Sequence, residues 1–209
     1  MSRPAFPEPS PVPCFSAMPL EIERRFLVVG EGWRQHCLWQ VELCQGYLVR
    51  QADGLTLRVR TSQGQADGTP QAWLTLKAIL PEAKAAEAWV RLEYEYPIPH
   101  GDALELLELA PELLRKQRYG LNLPGGEWVV DVFTEANAPL VVAEVELADP
   151  DELIDLPAWC GEELTGRHQL SNAALARHPL QQWSEEERRD LLPSFQFRTG
   201  KGEVQDGNN

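Results

Sequence analysis

One pattern recurs through the middle of this chain and limits its fold more than any other: short segments in which apolar and ionisable side chains alternate. In LEIERRFLV, Leu20 to Val28, the residues Glu21, Glu23 and Arg25 alternate with Ile22, Arg24 and Phe26. Alternation of period two marks a strand, whose successive side chains point to opposite faces. TLRVR sets Arg58 and Arg60 against Leu57 and Val59, WLTLK sets Thr75 and Lys77 against Leu74 and Leu76, and WVRLEYEY sets Arg91, Glu93 and Glu95 against Val90, Leu92, Tyr94 and Tyr96. KQRY adds Lys116 and Arg118. EWVVDVF places Asp131 with Val129 and Phe133, and LVVAEVEL places Glu144 opposite Ala143 and Val145, with Glu146 beside it on the charged face. An eighth strand is expected over Glu163 to Thr165.

Two arrangements accommodate such faces. They are the wet side of an open antiparallel sheet, or they line a sheet curled into a barrel, where about eight strands leave room for side chains or one small ligand. A single segment suits the first arrangement. The set favours the second, because paired Glu and paired Arg recur where a wet face would use Thr, Ser, Lys and Gln freely. The lining then opposes Arg25, Arg58, Arg60, Lys77, Arg91, Lys116 and Arg118 to Glu21, Glu23, Glu93, Glu95, Asp131, Glu144 and Glu146. Unpaired buried charges are expensive to desolvate, so such a lining points to function. Clustered Arg and Lys suit phosphate oxygens, and clustered carboxylates suit Mg²⁺ or Mn²⁺. Together they imply a metal-bound polyphosphate.

Residues 1–17 hold five prolines and no periodic apolar face, the composition of a disordered Pro-rich arm, and Met18 is a candidate start. One domain is expected over residues 18–192, followed by a flexible, Gly-containing polar tail over residues 193–209. Helices are expected from Glu31 to Leu43, from Asp102 to Ala110 ahead of Pro111, and from Ser171 to Arg177 ahead of Pro179. Another is expected from Trp183 to Leu192 with Ser184 as N-cap, and Ser62 to Pro70 reads as an exposed hairpin connection. The net charge of −13 argues against a nucleic-acid partner. No apolar run reaches the roughly 18 residues of a membrane span. Cys14, Cys37, Cys44 and Cys160 lack CxxC spacing, so reduced thiols and a cytoplasmic location are expected.

The ordered motifs resemble the CYTH domain, or triphosphate tunnel metalloenzyme, family. They begin with Glu21-Ile22-Glu23-Arg24-Arg25, similar to the family's Glu-x-Glu-x-Lys with Arg in the last place. There follow QGYL (Gln45 to Leu48), RVR (Arg58 to Arg60), TLK (Thr75 to Lys77) and RLEYE (Arg91 to Glu95). KQRY (Lys116 to Tyr119), DVF (Asp131 to Phe133), EVE (Glu144 to Glu146) and EELT (Glu162 to Thr165) complete the set. The resemblance covers about residues 18 to 180 and implies an α+β fold, an eight-stranded antiparallel closed β-barrel forming a tunnel, with flanking α-helices.

Likeness to the short bacterial members opening with EIERKFL implies divalent-metal-dependent hydrolysis of inorganic tripolyphosphate, with a metal-associated water attacking the terminal phosphorus. The resemblance makes Glu21, Glu23, Glu144 and Glu146 ligands of Mg²⁺ or Mn²⁺, with Asp131, Glu93 and Glu95 helping. It makes Arg58, Arg60, Lys77, Arg91, Lys116 and Arg118 the grip on a small anionic triphosphate. Tyr47 is the implied proton acceptor. Arg25 takes the catalytic lysine's place and keeps its charge, but it does not readily lose a proton. Gln169 and Leu170 precede Asn172 where the family has Arg-Tyr. The fold also hosts class IV adenylate cyclases and thiamine triphosphatases. Cyclic AMP formation from ATP, and thiamine triphosphate hydrolysis with Trp73 or Trp89 as ring platform, are therefore rival readings, as is a noncatalytic polyphosphate or nucleotide sensor. Pairing into a homodimer is left open.

Overall fold

The computed structural model describes residues 20–51, 54–64, 68–79, 90–149 and 152–192. The expected arm 1–17, Met18, the tail 193–209 and Trp89 lie outside the described residues, as do the side chains of Glu21 and Arg91. In chain order the elements are β1 (Leu20–Val28), β2 (Cys37–Arg50), β3 (Thr56–Gln63), β4 (Gln71–Ile79), β5 (Val90–Pro97) and α1 (His100–Leu109). They continue with β6 (Glu112–Leu121), β7 (Glu127–Phe133), β8 (Val141–Glu146), β9 (Cys160–Glu163), α2 (Asn172–Arg177) and α3 (Glu185–Leu191). The strands form one antiparallel sheet in the order β5-β4-β3-β2-β6-β7-β8-β1-β9. It curls far enough for β5 to return to β1, over the three pairs Leu20↔Leu92, Glu21↔Arg91 and Ile22↔Val90.

Nine strands stand where eight were expected, and the return of β5 to β1 is a short seam instead of a fully closed wall. The additional strand is β2, whose first residues were expected in a helix from Glu31 to Leu43. Only Gly32–His36 turns, as a 3-10 helix with Trp33 buried. From Cys37 the chain is extended, with exposed Glu42 between buried Val41 and Leu43. Ten pairs with β6 and eight with β3 satisfy its backbone on both edges, and that pairing outweighs local preference. Likewise β9 begins earlier than the expected Glu163 to Thr165, because Cys160 pairs with Val28 and Glu163 with Phe26.

The outward faces of β1, β6, β7 and β8 form one core of Ile22, Phe26, Tyr119, Trp128, Val130 and Val145, covered by Trp33 and Trp159. On the other side α1 lies across β2 and β3. A Cβ at Gly46 would stand 2.7 Å from Ala110 Cβ and 2.9 Å from Leu107, so glycine lets the helix approach. The helix stops where expected because Ala110, ahead of Pro111, is extended (φ −76°, ψ 121°).

At one end of the curl the inward faces are apolar. Leu27, Leu114, Phe133 and Val142 pack against Leu170, Leu175, Leu180 and Trp183, so the chain beyond β9 fills that end. Each fully buried leucine contributes about 1.5–3 kcal/mol. Asn137 ties this segment to the β7–β8 connection: its Nδ2 donates to the Leu175 carbonyl (3.1 Å), and its Oδ1 accepts from the Leu180 N–H (2.9 Å). Both expected C-terminal helices form, capped by Ser171 and by Ser184, the latter in a capping box with Glu187. No helix among the described residues is long and apolar enough to cross a membrane.

Candidate active site

The charged faces enclose a cavity of about 730 Å³. Glu23, Arg25, Tyr47, Arg58, Arg60, Lys77, Arg118, Glu144 and Glu146 all line it, joined by Glu93 and Glu95. Lys116 and Asp131 stand behind the lining, their side chains fully buried.

Strand register brings these groups together. Glu146 lies opposite Glu23 on β1 and opposite Glu127 on β7. The next row runs Arg25, Glu144, Val129, Gly120, Trp39, across β1, β8, β7, β6 and β2. Asp131 lies opposite Arg118.

Two ion-pair networks result. In the first, Arg25 Nε donates to Glu144 Oε1 (3.1 Å) and its Nη1 to the Leu170 carbonyl (3.0 Å). Arg118 donates through Nε and Nη2 to the two oxygens of Asp131, each at 2.7 Å, and also to Glu144. Lys116 donates to Asp131 and, at 3.3 Å, to Asn172 Oδ1. In the second, Arg60 meets both Glu95 oxygens at 2.9 Å. Arg58 donates to Thr75 Oγ1 (3.2 Å) and lies 3.6 Å from Glu93, and Lys77 pairs with Glu93 at 3.1 Å. Within these two networks cations and carboxylates therefore answer one another across strands, which is what makes their burial tolerable.

Electrostatics follow from that pairing. Burial alone would raise the Glu144 carboxyl, but Lys116, Arg118, Arg25 and Lys77 hold it well below the usual carboxylate range. Burial would lower Arg118, and Asp131 and Glu144 raise it instead. Burial and the neighbouring Arg58 push Arg60 down to about 10, leaving it charged at neutral pH. Burial pushes Lys116 down to about 8 against the opposing charge of Asp131. Burial also pushes the Tyr47 phenol up, although Arg58, Lys77 and Arg25 oppose it. Its hydroxyl lies 3.4 Å from Gln45 Oε1, so at neutral pH Tyr47 keeps its proton and suits a donor better than an acceptor.

Three guanidinium nitrogens on lining side chains have no hydrogen-bond partner among the described residues although they are buried: Arg25 Nη2, Arg58 Nε and Arg60 Nε. Buried donors are normally satisfied. The three orphans sit on side chains that line one cavity, and donors of this kind are what the acceptor oxygens of an anion satisfy.

The acidic groups have the donor chemistry of ligands for a hard cation. Glu23, Glu144 and Glu146 present only carboxylate oxygens from adjacent strands, the donor type that hard divalent cations take. Among the described residues no three His, Cys, Asp or Glu side chains are close enough to hold an ion, and the fourth carboxylate, Glu21, is not described beyond its backbone. Both Asp131 oxygens accept from Arg118 and Lys116, and both Glu144 oxygens accept from Arg25 and Arg118, so in this structure each of these two carboxylates is paired with cations.

Sequence reasoning overlooked Trp39 and Arg50, both cavity-lining. Arg50 Nη1 donates to Glu112 (3.2 Å) and to the Ala173 carbonyl (3.3 Å), linking β2 to α2. The only signal for Trp39 was the alternation running back from Tyr47 through Val41, hidden by the helix expectation. The departure at Leu170 is explained by packing, since its side chain is fully buried in the end core while its carbonyl serves Arg25.

Comparison with known proteins places this geometry. The CYTH domain model matches residues 19–178. An inorganic triphosphatase of Acetivibrio thermocellus is 34% identical over 167 residues, covering 79% of this chain and 98% of the relative. An inorganic triphosphatase of Nitrosomonas europaea is 36% identical over 165 residues, covering 75% of this chain and 96% of the relative. A crystal structure of an inorganic triphosphatase superposes with a TM-score of 0.51 at 33% identity, covering 75% of this chain and 93% of that one.

Proposed function

The chain belongs to the CYTH domain family, and from that premise we propose that it is a divalent-metal-dependent hydrolase of inorganic tripolyphosphate. The observation that carries the reading is the set of buried guanidinium donors without partners around the cavity. A triphosphate supplies the acceptors they lack, and relatives named inorganic triphosphatase match along most of the chain.

Arg58, Arg60 and Lys77 on β3 and β4 grip the anion from one side, and Arg25 and Arg118 face it from β1 and β6. The family motif assigns Arg91 the same task. Glu23, Glu144 and Glu146, with Glu21 by the family motif, would hold Mg²⁺ or Mn²⁺, which would offset charge on the phosphate oxygens. Glu93 and Glu95 keep Arg58, Arg60 and Lys77 in place, as Asp131 does for Arg118 and Lys116. Tyr47 donates a hydrogen bond to a phosphate oxygen. Water attacks the terminal phosphorus, the anhydride P–O bond breaks, and orthophosphate and pyrophosphate leave. Preorganised cations aimed at the developing charge supply most of such catalysis. Cys37, Cys44 and Cys160 are free thiols, which suits a reducing compartment such as the cytoplasm.

Purified protein is expected to release phosphate from tripolyphosphate with Mg²⁺ or Mn²⁺ and to stop in EDTA. Absence of turnover with either metal would sink the reading.

A pH dependence follows from Lys116. Its pKa is displaced downward to about 8, so its charge is present below that pH and lost above it. As pH rises through 8, kcat/KM for tripolyphosphate should fall roughly threefold to tenfold, through weakened attraction for the substrate in a partly shielded site. Lys116→Arg keeps the charge and should flatten that step in the pH profile.

A further inference from the structure

We propose that Thr75 is a positioning residue for the phosphate grip: its hydroxyl, set between Arg58 and Glu95, keeps the Arg58 guanidinium from closing on the neighbouring carboxylates, so that its Nε–H is left for the anion. The proposal rests on the triphosphate-binding reading above and gives a part in it to a side chain that carries no charge.

Strand register sets three side chains in one row. Thr75 on β4 lies opposite Arg58 on β3 and opposite Glu95 on β5. Opposed residues of neighbouring strands share a face, so all three lie on the inner face of the curl, where Arg58 and Glu95 line the cavity. Thr75 itself is fully buried. Its Oγ1 donates to Glu95 Oε2 at 2.9 Å and accepts from Arg58 Nη2 at 3.2 Å. The direction of both bonds follows from the partners, since a carboxylate only accepts and a guanidinium only donates. A hydroxyl answers both at once. Valine has the same branched shape and suits a strand as well, so shape alone gives no reason for an oxygen at this position.

Arg58 Nη2 stands 3.6 Å from Glu93 Oε1 and 3.7 Å from Glu95 Oε2, near enough to feel both charges but beyond a hydrogen bond. The Thr75 oxygen takes the bond on the Glu95 side instead. Arg58 Nε, meanwhile, is buried without a partner among the described residues. Without the hydroxyl, a shift of roughly half an ångström brings Nη2 into a direct bond with either carboxylate. Because the guanidinium is a rigid planar fork, that shift turns Nε with it. The neighbouring cations have other supports: Arg60 meets both Glu95 oxygens and lies 4.9 Å from the centre of the Trp73 ring, and Lys77 pairs with Glu93 at 3.1 Å. Loss of the Thr75 hydroxyl therefore falls on Arg58.

The test is tripolyphosphate binding by calorimetry, in EDTA to prevent turnover and with Mg²⁺, together with steady-state hydrolysis, on the full chain, Thr75→Val and Thr75→Ser. A thermal melt accompanies each variant. Thr75→Val is expected to weaken binding and raise KM by about tenfold, with kcat within about threefold of the parent chain. Thr75→Ser keeps the hydroxyl and should restore both. In an Arg58→Ala background, where the group that Thr75 positions is gone, Thr75→Val should weaken binding no further. If Thr75→Val does not fold, Thr75→Ala carries the same comparisons. The proposal is overturned if Thr75→Val leaves binding unchanged, if Thr75→Ser is as weak as Thr75→Val, or if the effects of Thr75→Val and Arg58→Ala add. Additive effects would mean that Thr75 serves the fold or another group. Binding without turnover in the parent chain would remove the hydrolase reading while the calorimetric comparison still decides this one, and absence of binding in either condition would remove both.

Discussion

Glu144→Gln lowers tripolyphosphate turnover by about a hundredfold to ten-thousandfold, the largest catalytic effect expected from a single change. The substitution keeps the shape of the side chain and removes its charge. Arg25 and Arg118, both bonded to this carboxylate, are then left as neighbouring cations without their shared anion. Removing one partner of a buried pair typically costs about 3–5 kcal/mol, which corresponds to the stated loss if it falls on the organised site. The carboxyl is held so far below its usual range that wild-type Glu144 stays ionised through the acid range in which a free glutamate would titrate. Activity should therefore not fail at mildly acid pH for want of this group. Steady-state kinetics with Mg²⁺, together with a thermal melt, separate lost chemistry from lost fold. Wild-type-like kcat in the variant would remove Glu144 from the site.

Asp131→Asn is expected to act on stability first. Asp131 is fully buried, and its oxygens accept from Arg118 and from Lys116, itself fully buried. The amide leaves two cations facing a neutral group, again a loss of about 3–5 kcal/mol. For a domain of this size that lowers Tm by roughly 6–20 °C. Lys116 would also lose the largest influence holding its pKa up against burial and would shed its proton nearer neutral pH. The fall of kcat/KM with rising pH should then begin earlier in the variant. An unchanged Tm would mean that the cations find other partners and that the Asp131 network is not structural.

Both effects depend on pairings that the sequence only partly discloses. Alternation in LEIERRFLV, TLRVR and LVVAEVEL was enough to place Glu23, Arg25, Arg58, Arg60, Glu144 and Glu146 on one face each, because a strand has no other way to dispose of period two. It was enough, too, for the inward direction, since a face that carries so many charges and recurs so often needs a shared enclosure. The helix over His100–Leu109 and the Ser184 N-cap were equally legible, being local signals. At β2 local reading failed. Residues from Cys37 onward have no strong preference of their own and become a strand because β6 and β3 offer edges on both sides.

What the amino-acid order determined by itself was the chemistry available: which residue types share a face, and that guanidinium, ammonium and carboxylate groups meet in one space. Which cation answers which carboxylate was decided by tertiary structure, through strand register and the packing of the C-terminal segment. Register puts Arg25 beside Glu144, and the apolar plug around Leu170 and Leu175 brings the Leu170 carbonyl and Asn172 to Arg25 and Lys116. Contacts between residues this far apart in the chain depend on every intervening strand closing in register. Trp39 belongs to the same class: its sequence position says only that it is aromatic, and its place inside the tunnel exists because Gly120, on another strand, leaves the room.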